Sequence, residues 1–166
     1  PSTALLNACD RLGMLVIDEA FDMWRYGHYQ YDYAQYFDKL WKEDLHSMVA
    51  RDRNHPSVIM WSIGNEIKNK ETAEIVDICR ELTGFVKTLD ATDDFLAPLD
   101  VCGYNYCLNR YESDAKRHPD RIIYASESYA SQAYDYWKGV EDHSWVIGDF
   151  IWTAFDYIGE ASIGWC

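Results

Sequence analysis

The chain has 166 residues, of which 48% are hydrophobic and 16% aromatic, and its formal net charge is −13. This negative charge argues against binding to a nucleic-acid backbone and is compatible with a neutral substrate such as a sugar. No apolar run reaches about 18 residues, so no membrane-spanning segment is predicted. No signal peptide is visible, although one preceding Pro1 stays an open alternative.

The spacing of apolar residues and the positions of turn residues predict the elements in chain order. They are a helix over residues 2–12, a strand over 14–17, a loop over 22–34, a helix over 36–50, a strand over 58–63, a helix over 71–89, and strands over 99–104, 121–125 and 146–152. Gly13 stands where a helix C-terminus favours glycine. The strand over 14–17 is a continuous apolar run, typical of a strand buried on both faces.

Apolar strands that alternate with amphipathic helices indicate parallel βαβ units. A doubly wound sheet and a (β/α)₈ barrel both fit this alternation. No glycine-rich phosphate fingerprint opens a helix, which weakens the dinucleotide-binding version. Five strands are too few for a full barrel, which has eight strands and about 250 residues. Since only residues 90–98 separate a helix from the next strand, a segment is predicted to be missing near residues 90–99.

Polar side chains cluster directly after the predicted strands. They are Asp18-Glu19, Asn65-Glu66, Asn105-Tyr106 and Glu127. The C-terminal ends of parallel strands are where active sites assemble in α/β folds. Glycoside hydrolysis needs two carboxylates, and Glu66 and Glu127 each follow a hydrophobic strand. The alternative for either glutamate is a structural role, in which it pairs with a lysine or caps the next helix.

Metal and disulfide chemistry are not indicated. The cysteine count is odd and no CxxC pair occurs, so Cys9, Cys79, Cys102, Cys107 and Cys166 are predicted to be mostly buried thiols outside any disulfide. The histidines form no HxH or HExxH pattern, which ranks a metal-dependent hydrolase low. The seven Trp and thirteen Tyr suit sugar faces, or equally an aromatic core.

One string is highly specific. Residues 51–66, RDRNHPSVIMWSIGNE, resemble the acid/base signature of glycoside hydrolase family 2, which contains β-galactosidases, β-glucuronidases and β-mannosidases. Residues 12–20 are similar to the third barrel strand of that family, and residues 148–160 to the eighth. The resemblance therefore implies an α/β fold, a (β/α)₈ TIM barrel, of which this chain over residues 1–166 contains about strands three, four, six, seven and eight.

The resemblance also implies roles. Glu66 would be the general acid/base, and Asn65 would hydrogen-bond the sugar 2-hydroxyl. Glu127 would be the nucleophile, with Tyr106 hydrogen-bonded to it. Trp152 would form part of the sugar-binding floor.

Four further positions have weaker assignments. Trp24 lines the pocket or packs in the core. His55, at the opposite end of its strand from Glu66, has a mainly structural interpretation. Asp18 and Glu19 are expected to orient neighbouring side chains. Residues 156–157 are expected to contact the residues that bind the sugar and not the sugar itself.

The implied function is that of a retaining β-glycosidase, foremost a β-galactosidase. The alternatives are a β-glucuronidase or β-mannosidase of the same family, or a non-catalytic carbohydrate-binding barrel. No cofactor or metal is expected, with a cation in the full-length enzyme left open. The expected partner is a small glycoside or oligosaccharide, without nucleic acid or membrane, and a homo-oligomer is possible in the full-length protein. The sequence does not distinguish a cytoplasmic, a periplasmic and a secreted location.

The chain also departs from the family pattern. The β-sandwich, the immunoglobulin-like domain and barrel strands one, two and five of that family are not expected within these residues. The isolated chain is therefore expected to be insoluble or inactive.

Overall fold

The computed structural model describes residues 1–90 and 100–153. The chain divides into two compact units, Pro1–Pro98 and Leu99–Cys166. The first contains α1 (Thr3–Leu12), β1 (Val16–Glu19), α2 (Ala34–Asp52), β2 (Val58–Ser62) and α3 (Ala73–Leu89). The second contains β3 (Val101–Asn105), α4 (Tyr111–Arg117), β4 (Ile122–Tyr129), α5 (Ala133–Asp142) and β5 (Val146–Trp152), with 3₁₀ turns at Leu108–Arg110 and Ala130–Gln132.

The helices of the first unit begin and end where local signals place them. The Ser2 hydroxyl caps α1 by accepting the Leu5 N–H, and Gly13 closes that helix at a φ of 70°. Because this left-handed conformation is costly for residues with a Cβ, glycine is favoured there. Thr72 caps α3 in the same way as Ser2 caps α1. The three predicted helices of this unit are confirmed, with α2 extended by two residues at each end.

The first unit is built on two parallel strands, β1 and β2, with a helical layer packed on them. Phe37, Trp41 and Leu45 recur every four residues on α2 and form one buried face. The buried core contains Phe21, Trp24, Phe37, Trp41, Leu45, Val49, Ile63, Ile75, Ile78, Leu82 and Val86. This core holds β2, and with it the segment that leads to Glu66.

The first strand lies two residues later than predicted, and it is not buried on both faces. Met14 and Leu15 are exposed, whereas Asp18 and Glu19 belong to the strand instead of following it. The reason is pairing, because Val16 aligns with Val58 and its N–H donates to the Ser57 carbonyl oxygen. Hydrophobicity alone could not show where this ladder begins.

The second unit contains three parallel strands in the order β3-β4-β5. Its core centres on Tyr111 of α4, which is 3% exposed. The Tyr111 ring makes edge-to-face contacts with Tyr104, Tyr136 and Trp145. These contacts attach both helices of the unit to one face of the sheet.

Two features of this unit differ from the prediction. The apolar spacing does not predict helices α4 and α5. Strand β4 continues to Tyr129, four residues beyond the predicted end, so Glu127 lies within the strand. The extension has a partner on each side, because Asn105 aligns with Glu127 and Trp152 aligns with Tyr129.

The predicted parallel βαβ units are confirmed, and the described residues form no closed barrel. A segment is predicted to be missing near residues 90–99. Apart from Asp90, this junction lies outside the described residues. Within residues 1–90 and 100–153, no helix combines the length and the apolar character needed to cross a membrane.

Candidate active site

Glu66 follows β2 in a segment that is tied to the loop after β1. The Ala20 N–H donates to the Ser62 carbonyl oxygen (3.0 Å), and the Asn65 N–H donates to the Phe21 carbonyl oxygen (2.9 Å). Between them, the Trp24 indole N–H donates to the Ile63 carbonyl oxygen at 2.7 Å. These three bonds hold the backbone on either side of Gly64, so the position of Glu66 is set by residues about 40 positions earlier in the chain.

The backbone of Glu66 is in the left-handed region, with φ of 43°, and its side chain is exposed. A non-glycine residue in this region costs on the order of 1–3 kcal/mol and is found mainly where the surrounding structure holds it. Such residues concentrate at functional sites. Asn65, directly before it, is partly buried.

Trp24 has a packing role. Its side chain is 5% exposed, and its ring lies where a Cβ at position 64 would be, with the indole nitrogen 2.6 Å from that point. Of the two alternatives for Trp24, its burial supports packing in the core. It supports the backbone before Glu66 from within the core.

The two acidic residues of β1 face different environments. Glu19 is exposed and accepts a hydrogen bond from the Ser62 hydroxyl at 2.7 Å. Asp18 is 1% exposed and lies beside Asp52, which is paired with Arg51. Burial, followed by the neighbouring Asp52 carboxyl, raises the pKa of Asp18 to about 6. The hydrogen bond between Ser62 and Glu19 fits the predicted orienting role of Glu19.

His55 lies at the opposite end of β2 from Glu66. Its Nδ1 is 2.6 Å from Asp10 Oδ2, and the other oxygen of Asp10 accepts the Ser57 N–H. These bonds join α1 to the start of β2. The structural interpretation of His55 agrees with this arrangement.

The second unit holds Glu127, which is half-buried in β4. Tyr106, directly after β3, contacts it twice. The Tyr106 N–H donates to the Glu127 carbonyl oxygen at 2.9 Å, and the Tyr106 hydroxyl donates to Glu127 Oε2 at 2.8 Å. The backbone of Tyr106 is also left-handed, with φ of 56°. The hydrogen bond predicted between these two side chains is therefore present.

One aromatic ring packs against this pair, and another side chain with a large ring lies on the neighbouring strand. The Tyr106 ring stacks on Tyr129, with centroids 4.4 Å apart and an interplanar angle of 29°. Trp152 ends β5, aligns with Tyr129 and is 48% exposed, so it can offer a ring face to a sugar. The peptide bond from Trp152 to Thr153 is cis. Residues 154–160, including the predicted indirect positions 156–157, lie outside the described residues.

Tyr129 is not among the predicted site residues. Its spacing of two from Glu127 is the signal that could have found it, because alternate residues of a strand share a face. Ser128 between them is fully buried, which confirms the alternation. The residues directly before Glu127 and Tyr106 also form a polar contact between β4 and β3. The Ser126 hydroxyl donates to Asn105 Oδ1 at 2.5 Å.

Thus Glu127, Tyr106 and Trp152 all lie in the second unit, where Tyr106 contacts Glu127, whereas Asn65 and Glu66 belong to the first. Among the described residues, no group of three or more His, Cys, Asp or Glu side chains could hold a metal ion. Cys9, Cys102 and Cys107 are partly buried free thiols, and Cys166 lies outside the described part of the chain.

Residues 1–96, more than half of the chain, match the family model described as "Glycosyl hydrolases family 2, TIM barrel domain". The chain belongs to this family. The predicted fold class, a partial TIM barrel, is confirmed with it.

Relatives of this glycosyl hydrolase family 2 chain carry two kinds of name. It is 30% identical to "Beta-galactosidase BoGH2A" of Bacteroides ovatus, over 99% of this chain and 30% of that protein. It is 28% identical to a "Putative beta-glucuronidase" of Formosa agariphila, over 95% of this chain and 21% of that protein. The chain thus spans less than a third of the length of these relatives.

A solved structure is much more similar. A "glycosyl hydrolase family 2 (GH2) member from Bacteroides cellulosilyticus" is 92% identical and superposes with a TM-score of 0.90, covering 100% of this chain and 23% of that one. The folded arrangement described above is therefore that of a family 2 barrel segment.

Proposed function

We propose that this chain supplies the two catalytic carboxylates of a retaining β-glycosidase, with terminal β-galactosides as the favoured substrates. Membership of glycosyl hydrolase family 2 gives the reaction class. The observation that carries the assignment within the chain is the double contact of Tyr106 with Glu127. A hydrogen bond from a phenol fixes the orientation of a carboxylate, and attack on the anomeric carbon requires a fixed orientation.

The reaction is a double displacement. A carboxylate oxygen of Glu127 attacks the anomeric carbon, and the bond from that carbon to the leaving oxygen breaks. Glu66 gives its proton to the leaving oxygen at the same time. A covalent glycosyl-enzyme results. Glu66, now a carboxylate, takes a proton from water, which attacks the anomeric carbon and releases Glu127 and a sugar of retained configuration.

The remaining residues would bind the sugar. The Asn65 side chain would hydrogen-bond the 2-hydroxyl, a contact that strengthens in the transition state. Trp152 would lie under the ring as an apolar floor. The proposal includes no cofactor.

We further infer that a segment of the barrel is missing near residues 90–99. The alignment with the Bacteroides ovatus relative spans 256 residues, more than the chain contains, which supports an internal deletion. For this reason the activity is proposed for the intact gene product that carries these residues, and the isolated chain is expected to be inactive.

The test separates the two glutamates by azide rescue of Glu66→Ala and Glu127→Ala in that intact product, with nitrophenyl β-glycosides as substrates. Loss of a general acid/base lowers the rate by about 10²–10⁴. In Glu66→Ala, azide should attack the covalent intermediate and give the β-glycosyl azide. In Glu127→Ala, azide should displace the leaving group directly and give the α-anomer. Exchanged anomers would reverse the roles, and an active Glu127→Ala without azide would remove Glu127 as the nucleophile.

A panel of nitrophenyl galactoside, glucuronide and mannoside tests the substrate. The name of the Formosa agariphila relative makes a β-glucuronidase the second candidate. Faster hydrolysis of the glucuronide would favour it. Binding of a β-glycoside without turnover of any of the three would support a non-catalytic carbohydrate-binding barrel.

A further inference from the structure

Tyr106 is held against Glu127 by contacts of different kinds. Its backbone N–H and its hydroxyl each donate to Glu127, and its ring stacks on Tyr129. The backbone is left-handed, so its conformation depends on such contacts. The two hydrogen bonds act at the ends of the residue, and the stack with Tyr129 restrains the ring between them.

Tyr129 is placed for this by the strand. It lies two residues after Glu127, so both side chains leave the same face of β4. Tyr106 crosses from the neighbouring strand and contacts both of them. Tyr129 is nevertheless 54% exposed, unlike the core tyrosines Tyr111 and Tyr136, which are almost fully buried. Its ring therefore adds little to the hydrophobic core.

We propose that Tyr129 is a positioning residue for the nucleophile. Its ring fixes the plane of the Tyr106 phenol, and the phenol in turn fixes the attacking oxygen of Glu127. This inference rests on the proposed function, because it assumes that Glu127 attacks the sugar. It gives a defined role to an exposed aromatic side chain that does not need to touch the substrate.

The experiment is a double-mutant cycle in the intact gene product with Tyr129→Ala, Tyr106→Phe and the double variant. The rate constant of the nitrophenol burst reports the attack by Glu127, and substrate affinity before the burst is measured separately. A stacked pair of this kind corresponds to a change of about two- to twelvefold in rate. Tyr129→Ala should slow the burst by that factor and leave affinity unchanged.

The cycle isolates the route of the effect. Tyr106→Phe removes the hydroxyl that Tyr129 is proposed to position. In that background, Tyr129→Ala should change the burst rate by less than about twofold. Tyr129→Phe keeps the ring and should restore the burst of the alanine variant.

Matched controls exclude a loss of folding. Tyr134→Ala makes the same substitution at a tyrosine of α5 that is 78% exposed, and it should leave the burst unchanged. Thermal unfolding of all variants should be superimposable with that of the parent. If Tyr129→Ala alone lowers the unfolding temperature, Tyr129→Leu, which keeps apolar bulk without the ring, must still slow the burst for the proposal to stand.

Three results would overturn the inference. A rate loss that persists in the Tyr106→Phe background would mean that Tyr129 acts independently of Tyr106. A weaker substrate affinity with an unchanged burst would make it a sugar contact. An unchanged burst with unchanged affinity would leave it no role in catalysis. Failure of the proposed function looks different, because Glu127→Ala would then stay active without azide.

Discussion

Replacing Gly64 with alanine places a methyl group in space that Trp24 already fills. The new Cβ would lie 2.6 Å from the Trp24 indole nitrogen and 2.9 Å from Ile67 Cδ1. Trp24 cannot give way easily, because it is buried and its nitrogen is hydrogen-bonded to the Ile63 carbonyl oxygen. The backbone that leads to Glu66 must therefore move.

Overpacking of this kind costs about 1–3 kcal/mol. For a domain of about 150–250 residues, each 1 kcal/mol lowers the unfolding temperature by about 2–4 °C. Gly64→Ala should therefore unfold about 2–12 °C below the parent in differential scanning calorimetry of the intact gene product. Activity on a nitrophenyl glycoside should also fall, because Glu66 follows the displaced segment.

A matched control is available in the same unit. Gly84 lies inside α3, and a Cβ built there meets nothing within 4 Å. Gly84→Ala should raise stability by up to about 1 kcal/mol, because alanine loses less backbone entropy in a helix. The two variants carry the same chemical change and should shift the unfolding temperature in opposite directions.

A second variant tests the named contact. Trp24→Phe removes the indole nitrogen that the new methyl group would meet, although it also leaves the Ile63 carbonyl oxygen without this donor. If the clash is with Trp24, Gly64→Ala should cost less in the Trp24→Phe background than alone. An unfolding temperature for Gly64→Ala equal to that of the parent would refute the reasoning, and so would equal costs in both backgrounds.

Two further predictions concern pH. Burial and then Asp52 raise the pKa of Asp18 to about 6, so the stabilising contribution of its protonated form is complete below about pH 4 and is lost as the pH rises through 6. The urea midpoint of Asp18→Asn should therefore rise relative to that of the parent between about pH 4 and pH 7. A difference in midpoint that stays constant over this range would refute the prediction. Hydrogen bonds from Ser57 and then His55 lower the pKa of Asp10, so the stabilisation by its carboxylate is present above about pH 4 and is lost at lower pH. Asp10→Asn should have a lower urea midpoint than the parent at pH 7, and this difference in midpoint should shrink as the pH falls.

Several features of the fold could be predicted from local sequence. The helices of the first unit follow from apolar spacing and from caps such as Ser2 and Gly13, because these interactions join residues only a few positions apart. The parallel βαβ units follow from alternation of strands and helices. The string over residues 51–66 indicates the family without reference to the fold, and the family model agrees with it.

Features that depend on distant partners could not be predicted. The start of β1 is decided by pairing with β2, and the length of β4 by its two neighbouring strands. The packing role of Trp24 depends on its fit against Gly64, about 40 residues later. The hydrophobicity pattern along the chain specifies neither the register between paired strands nor the fit between side chains that pack together.

The candidate site divides in the same way. The sequence alone determined the residue types, two strand-end glutamates next to Asn65 and Tyr106, and their membership of a glycosidase family. Only the tertiary structure showed that the phenol of Tyr106 bonds to Glu127 and that Tyr129 stacks on its ring. The physical reason is that a side chain's orientation is set by what it touches, and these contacts join strands that are about 20 residues apart in the chain.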